Sequence, residues 1–393
     1  MPPPTPSPWR RPLSPIEAVW LTAADLRPPF AIALVIELDH PWDLPALRRA
    51  VDLAATSLPS TRATLRGLLC IRRWQDVGRA PAVHEIEAGT WDGRSDQHAP
   101  FLDRPLRPET SPFEVLLVRG TPERLVFRAH HAAADGRGVV AWARAVCAAG
   151  RGEPLAAPGP PITDLTVSRR ATPVPPVADD AVSATGSHDG TPGVRWARRT
   201  VVGRWNGFTW RVAHALAGHA RTVWPEGCVR VQVPVDLRPH GHQDEVGNLI
   251  GMVGTEVHPE DGWEAVRDRL QASIAAGEAA GQVRGVWWLV HVPRWLMRWA
   301  GAVGMRRSIA TGRHAATAVV SNIGEVELDA LSVPGARALT AYVVPPAADA
   351  TSAFLVATRC GEETEIVLTM ASGLASGGRL EGLLDAVERE LTG

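Results

Sequence analysis

Hydrophobic positions recur with two periods along this chain. Phe30–Leu38 (FAIALVIEL) is an apolar run rich in β-branched residues and predicts a strand. Asp43 then precedes Leu44, Leu47, Val51, Ala54 and Leu58, which share one face at 3.6 residues per turn, so a helix capped by Asp43 is expected. Leu65–Trp74 reads as another strand. Phe113–Val118 and Leu125–His130 flank the turn-like Gly120-Thr121-Pro122-Glu123 and read as a hairpin or as neighbouring strands. A helix is expected from about Val139 to Ala149.

From residue 151 the pattern breaks. Residues 151–194 are rich in Pro, Ala, Ser, Asp and Gly, which marks a linker, set here at 161–194. Residues 1–12 are proline-rich and expected to be a disordered tail. The remaining chain divides into subdomains over 13–160 and 195–393. In the second of these, a helix is expected around Trp205–Thr222. The alternating strand Val229–Val235 follows, where Pro234 implies an edge or a strand end. A helix over 261–280 and one or two more over 283–310 precede strands at 316–321, 337–344, 352–359 and 364–370. A closing helix buries Leu380, Leu383, Leu384, Val387 and Leu391. Strands and helices mix in both halves, so the fold class is α/β (α+β), each half a sheet covered by helices.

Composition narrows the function. With 45% hydrophobic and 21% charged residues the chain is globular, and 393 residues suit two domains or one large one. The 41 basic and 42 acidic side chains leave a net charge of −1, which argues against a nucleic-acid partner. Every basic residue is arginine, so Schiff-base, pyridoxal-phosphate and P-loop lysines are excluded. Cys70, Cys147, Cys228 and Cys360 form no CxxC pair, and free thiols are expected. No apolar leader and no run of about 18–20 apolar residues is present, so a cytoplasmic location is expected.

The chemistry concentrates in His130-His131-Ala132-Ala133-Ala134-Asp135-Gly136, between a predicted strand and a predicted helix. An imidazole there can take a proton from an acceptor hydroxyl or amine near neutral pH. It needs to be oriented, which a neighbouring carboxylate or arginine network can do. Gly136 allows the backbone to come close.

This HHxxxDG segment resembles the signature of the condensation-domain and CoA-dependent acyltransferase superfamily. That group includes condensation domains of nonribosomal peptide synthetases, polyketide-associated acyltransferases and wax ester synthase/diacylglycerol acyltransferases. Pro12-Leu13-Ser14-Pro15, Val235-Asp236-Leu237-Arg238-Pro239 with Gly247-Asn248, and Ser321-Asn322-Ile323-Gly324 are similar to its other conserved stretches and occur in the same order. The resemblance implies two chloramphenicol-acetyltransferase-like subdomains in a V, with an active-site tunnel between them. His131 matches the catalytic second histidine, His130 the supporting first and Asp135 the structural aspartate. Arg238, from the stretch that also holds Asp236, is the candidate partner of Asp135, the alternative being a surface arginine. The Gly136 N–H is a candidate donor to a developing oxyanion. Asn248, Ser321 and Asn322 are candidate tunnel residues, the alternative for the last two being that they merely end a strand. The DFGWG sequence of the plant branch is absent.

The expected activity is that of a free-standing acyltransferase. It would move an acyl group from acyl-CoA or a carrier-bound phosphopantetheine thioester to a small-molecule acceptor, with no permanently bound cofactor. An ester on a specialised metabolite is the first expectation, and wax ester or triacylglycerol formation comes next. A carrier-dependent amide-forming or cyclising enzyme and a non-catalytic docking protein are the alternatives. His240, His242, Asp244 and Glu245 sit in a polar loop, and no metal is assigned to them. Ser187-His188-Asp189 has triad residue types, but adjacent residues do not build a triad. No GxSxG elbow is present. The tryptophan-rich stretch 286–299 reads first as core packing, then as a channel wall. An amphipathic, membrane-touching segment is its third reading.

Overall fold

A computed structural model describes residues 9–67 and 71–392. Residues 1–8 of the expected tail lie outside the described residues, and its end is not a tail: Arg10–Pro12 form strand β1. Helix α1 (Pro15–Leu26) follows, with Ser14 and Glu17 as a reciprocal capping box. Strand β2 (Ala31–Leu38) and helix α2 (Leu44–Ser57) match their sequence patterns, and Asp43 Oδ2 accepts from the Ala46 N–H at 2.8 Å. The single strand expected over Leu65–Trp74 is two, β3 (Ala63–Arg66) and β4 (Arg73–Asp76), paired antiparallel; β1 covers the other side of β4. Cys70 lies outside the described residues. Strand β5 (Ala82–Glu87) precedes β6 (Phe113–Arg119) and β7 (Glu123–His130), an antiparallel pair that leads into helix α3 (Gly136–Gly150).

The stretch expected as a linker is folded. It holds helix α4 (Asp164–Val167) and strand β8 (Ala181–Val182), and Thr163, Asp164, Ser168, Ser183 and Ala184 are all buried. Strand β9 (Val194–Val202), helix α5 (Phe208–Val223) and strands β10 (Arg230–Asp236) and β11 (Ile250–Glu256) come next. Helices α6 (Trp263–Ala275), α7 (Glu278–Gly285) and α8 (Arg294–Thr311) follow, a 3₁₀ turn at Trp287–His291 separating the last two. The chain ends with strands β12 (Arg313–His314) and β13 (Ala316–Glu325), helix α9 (Leu328–Leu331), strands β14 (Ala338–Val344), β15 (Thr351–Cys360) and β16 (Glu363–Ala371), and helices α10 (Ser372–Ala375) and α11 (Arg379–Thr392). Helix α11 buries the five residues its periodicity selects.

Two sheets carry the fold. One runs β14-β2-β7-β6-β5 and the other β11-β10-β13-β15-β16-β9. Strand β14 therefore leaves the C-terminal half and pairs with β2, so the sheets do not respect the boundary at 195. Its residues Ala341, Tyr342 and Val343 are buried, and an apolar strand of this kind joins whichever sheet has an open edge to cover. Pro234 lies in β10, which is not an edge strand. It pairs with β11 along its length but with β13 only at Val231 and Gln232, so the proline sits where that second ladder has ended.

A polar network joins the sheets. Arg198 on β9 makes a two-pronged pair with Glu365 on β16, 2.7 Å for each bond, and reaches Glu37 on β2 at 3.1 Å. Its guanidinium lies 4.1 Å from the centre of the Tyr342 ring. All four elements are thereby locked in one arrangement, because none of these charges can reach water cheaply.

The folded strap from 151 to 194 is tied to helix α1 through a carboxyl group. Ser14 Oγ donates to Asp164 Oδ2 at 3.0 Å, and the neighbouring Glu17 takes the Ser14 N–H and the Trp74 Nε1–H. Burial, with Glu17 adding to it, pushes the Asp164 carboxyl up to about 7. A carboxyl raised in the folded state binds more protons there than in the unfolded chain. Its contribution to stability is therefore complete below its unfolded value near 4 and is lost as pH rises toward 7. Asp164→Asn is expected to flatten this slope and to raise the urea midpoint at pH 8 relative to wild type, with little change at pH 4.5. An unchanged slope would show that Asp164 ionises freely.

Candidate active site

The two histidines end β7, where His130 pairs with Ala31 at the start of β2. His131 is the first residue beyond the strand, and its N–H donates to the Phe30 carbonyl at 3.2 Å. The chain then turns sharply, and Asp135 caps α3 by accepting the Gly138 N–H at 2.8 Å. This strand–turn–helix connection is short because the small residues Ala132, Ala133 and Ala134 fit into the core.

The His131 ring is fixed on three sides. Its Nδ1 lies 3.1 Å from the Ala134 carbonyl oxygen. A carbonyl only accepts, so Nδ1 carries the hydrogen and Nε2 keeps its lone pair. Trp20 stacks on the ring at 5.3 Å between centroids and 24° between planes, and Phe30 meets it at 5.9 Å. Phe30 itself has φ +45°, a conformation of about 1 kcal/mol in cost that its burial and these contacts maintain. Burial pushes the His131 pKa below its usual value, opposed in part by the Ala134 carbonyl and Asp135. The imidazole is therefore neutral, with a free Nε2, across the neutral pH range. His130 differs. Burial, with His131 and Arg294 adding to it, lowers its pKa to about 3, and its Nδ1 accepts the Ala132 N–H. It braces the turn.

Arg238 is the partner of Asp135. Its Nη1 and Nη2 reach Oδ2 and Oδ1 at 3.0 and 2.9 Å, and both side chains are almost fully buried. Burial tends to lower the Arg238 pKa, but Asp135 and Asp236 outweigh it and hold the guanidinium charged. The same guanidinium donates to Asp236 Oδ1 and to the carbonyls of Glu245 and Gly247, while the Leu249 N–H donates to Asp135 Oδ2. The expected tunnel residue Asn248 is buried in this same joint. Its Nδ2 donates to the His131 carbonyl at 2.7 Å, so it holds the backbone of the histidine and does not line the cavity.

A cavity of about 360 Å³ opens between the two sheets and is lined by His131, Asp135, Gly136, Asp236, Ser321 and Asn322. Most of its wall is apolar, with Ile16, Trp20, Ile250, Met252 and Phe354 prominent. Two positions explain how the halves approach so closely. A methyl group on Gly136 would stand 2.6 Å from Ile323 Cδ1, and the ladder register shifts between Asn322 and Gly324, turning Ile323 toward α3. Asn322 also donates to Thr209 Oγ1 at 3.2 Å and borders a second cavity of about 370 Å³. The folded strap contributes Pro176 and Val177 to the first cavity. It gets there by crossing α7 at Gly281 and Gly285, where any side chain would strike the backbone of Thr172 and Val174.

Sequence reasoning missed the Ala134 carbonyl, Trp20, Phe30 and the strap. Only Trp20 carried a signal, as the aromatic residue six positions after Ser14. Among the described residues, no three His, Cys, Asp or Glu side chains come together as metal ligands.

No protein-family profile matches the chain, and no curated protein matches it. Solved structures do. The condensation domain of the monacolin K polyketide synthase MokA is 11% identical, with a TM-score of 0.65 over 97% of this chain and 96% of that one. Polyketide synthase associated protein 5 from Mycobacterium tuberculosis is 15% identical, with a TM-score of 0.65 over 98% of each chain. A starter condensation domain of rhizomide synthetase RzmA, in complex with C8-CoA and Leu-SNAC, is 14% identical, with a TM-score of 0.64 over 97% of this chain and 93% of that one. The chain thus has the mixed α/β fold of condensation domains, and the likeness spans nearly the whole length of each of these structures.

Proposed function

We propose that this protein is an acyltransferase that moves an acyl group from a thioester to a hydroxyl or amine, with His131 as general base. The observation that carries the reading is the Nδ1-to-Ala134 hydrogen bond, which leaves a buried, neutral imidazole with a free Nε2 in the cavity wall. In the first step, Nε2 takes the proton of the acceptor while the acceptor oxygen or nitrogen bonds to the thioester carbon. In the second, the carbon–sulfur bond breaks and the thiolate leaves, taking the proton back from the imidazolium. The negative charge that appears on the former carbonyl oxygen faces the start of α3. Gly136 and Arg137 there have amide hydrogens with no intrahelical acceptor. The apolar lining suits an acyl chain, and the C8-CoA complex of a protein of the same fold favours acyl-CoA as donor. An ester on a specialised metabolite or lipid is the favoured product. Acyl or peptidyl carrier proteins are the alternative donors.

Thiol release from a panel of acyl-CoAs, with product masses, tests the reading. Acceptor-dependent release of coenzyme A and a product heavier by the acyl group are expected. Because the active form of His131 is the deprotonated one and its pKa is lowered, kcat/KM should hold through neutral pH and fall only below the ordinary histidine value near 6.5. A limb above pH 7 would overturn the assignment of the base. Folded protein without release from acyl-CoA or carrier-bound donors would make it a docking protein.

A further inference from the structure

Helix α8 presents its greasy side to solvent. Of its eighteen residues only Ser308 is fully buried. Gly301 packs on Leu26 and Thr22 of α1, and Arg294 pairs with Asp25 there. On the helical wheel the opposite arc carries Trp295, Leu296, Trp299, Val303, Arg306 and Arg307. Trp295 is 68% exposed and Trp299 62%, and in the preceding 3₁₀ turn Trp287 and Trp288 are 47% and 49% exposed. The reading of this stretch as core packing is therefore wrong. The face that its spacing makes apolar is turned outward, because the α1 side is filled by Met297, Gly301 and the arginine–aspartate pair.

We propose that this face docks on a bilayer surface bearing anionic headgroups. Three features select that occupant. From Ala279 to Gly324 the chain has no acidic residue, and among the described residues Arg306 and Arg307 have no carboxylate partner, so the patch is one-signed. Exposed tryptophans beside arginines on one helix face suit the headgroup level of a membrane, where an apolar body and a polar edge are both satisfied. The patch also adjoins the cavity: Val286, directly before Trp287, lines it, as does α1 through Ile16, Val19 and Trp20. No described helix is long and apolar enough to cross a membrane, so the contact lies in the surface plane.

Sedimentation of the whole protein with vesicles tests this. Binding to phosphatidylcholine vesicles containing phosphatidylglycerol is expected, accompanied by a blue shift of tryptophan emission. Arg306→Gln with Arg307→Gln should weaken binding about 30-fold at low salt. Trp295→Ser with Trp299→Ser should weaken it at least about tenfold at any salt, and both variants should keep the wild-type circular dichroism because the replaced side chains are exposed. Equal binding to vesicles of phosphatidylcholine alone, no binding at all, or binding that neither variant alters would overturn the proposal. So would a dimer dissolved by the tryptophan changes, which would assign the face to a second copy.

Discussion

His131→Ala is expected to lower kcat/KM for acyl transfer by about 10²–10⁴, the usual worth of a positioned general base, while the protein stays folded. The size follows from the ring's surroundings. Its Nδ1 is committed to Ala134, its faces to Trp20 and Phe30, and Nε2 is the one polar atom it offers the cavity. The neighbouring histidine cannot take over: His130 is neutral, turned into the turn through the Ala132 N–H, and absent from the cavity wall. The loss should appear in kcat more than in KM, because the proton is taken in the transition state. The limb of the pH profile below 6.5 should vanish with the side chain. His130→Ala makes the internal comparison. It removes a brace, so a loss of less than about tenfold with an unchanged pH profile is expected from it. Equal losses in the two variants would mean that the motif serves structure and that proton transfer occurs elsewhere.

Much of this site was legible in the sequence because it is built from local, chemically distinct residues. The period of β2, the Asp43 cap and the leucines of α11 each depend on neighbours within a few turns, and each matches the structure. Asp135 and Arg238 could be paired through the family resemblance, which supplies an arginine partner for that aspartate; nothing local to either residue states the pairing. What composition misled on was distance. The proline-rich strap looked like a solvated linker, yet Asp164 and Ser168 are buried, and glycines on a helix more than a hundred residues away let it cross. Strand β14 looked like part of the C-terminal half, since nothing in Ala338–Val344 states which sheet edge it completes. The tryptophans of α8 are exposed against expectation because periodicity identifies an apolar face without telling which side is covered.

Breaking the Asp135–Arg238 pair should cost more stability than any surface change, and a double-mutant cycle should show the cost to be shared. Arg238→Met strips the partner from a carboxylate that is 3% exposed, and Asp135 then keeps only the N–H groups of Gly138 and Leu249. About 3–5 kcal/mol of destabilisation is expected, read from urea midpoints. Asp135→Asn leaves Arg238 with Asp236 and two carbonyls, so its cost should be smaller, and it also removes the charge from the cap of α3. The double variant should be less destabilised than the sum of the two, since no buried charge is left facing an apolar or neutral partner. Arg238→Lys separates charge from shape. An ammonium cannot form the two parallel bonds or reach the carbonyls of Glu245 and Gly247 together, so it should restore part of the stability. If the pair positions the base, activity should not return with it, because the segment from Gly247 to Leu249 that holds the His131 carbonyl through Asn248 would still be loose. Additive single effects would mean that the two residues stabilise different parts of the fold, and that the loop carrying His131 is held by its own turn alone.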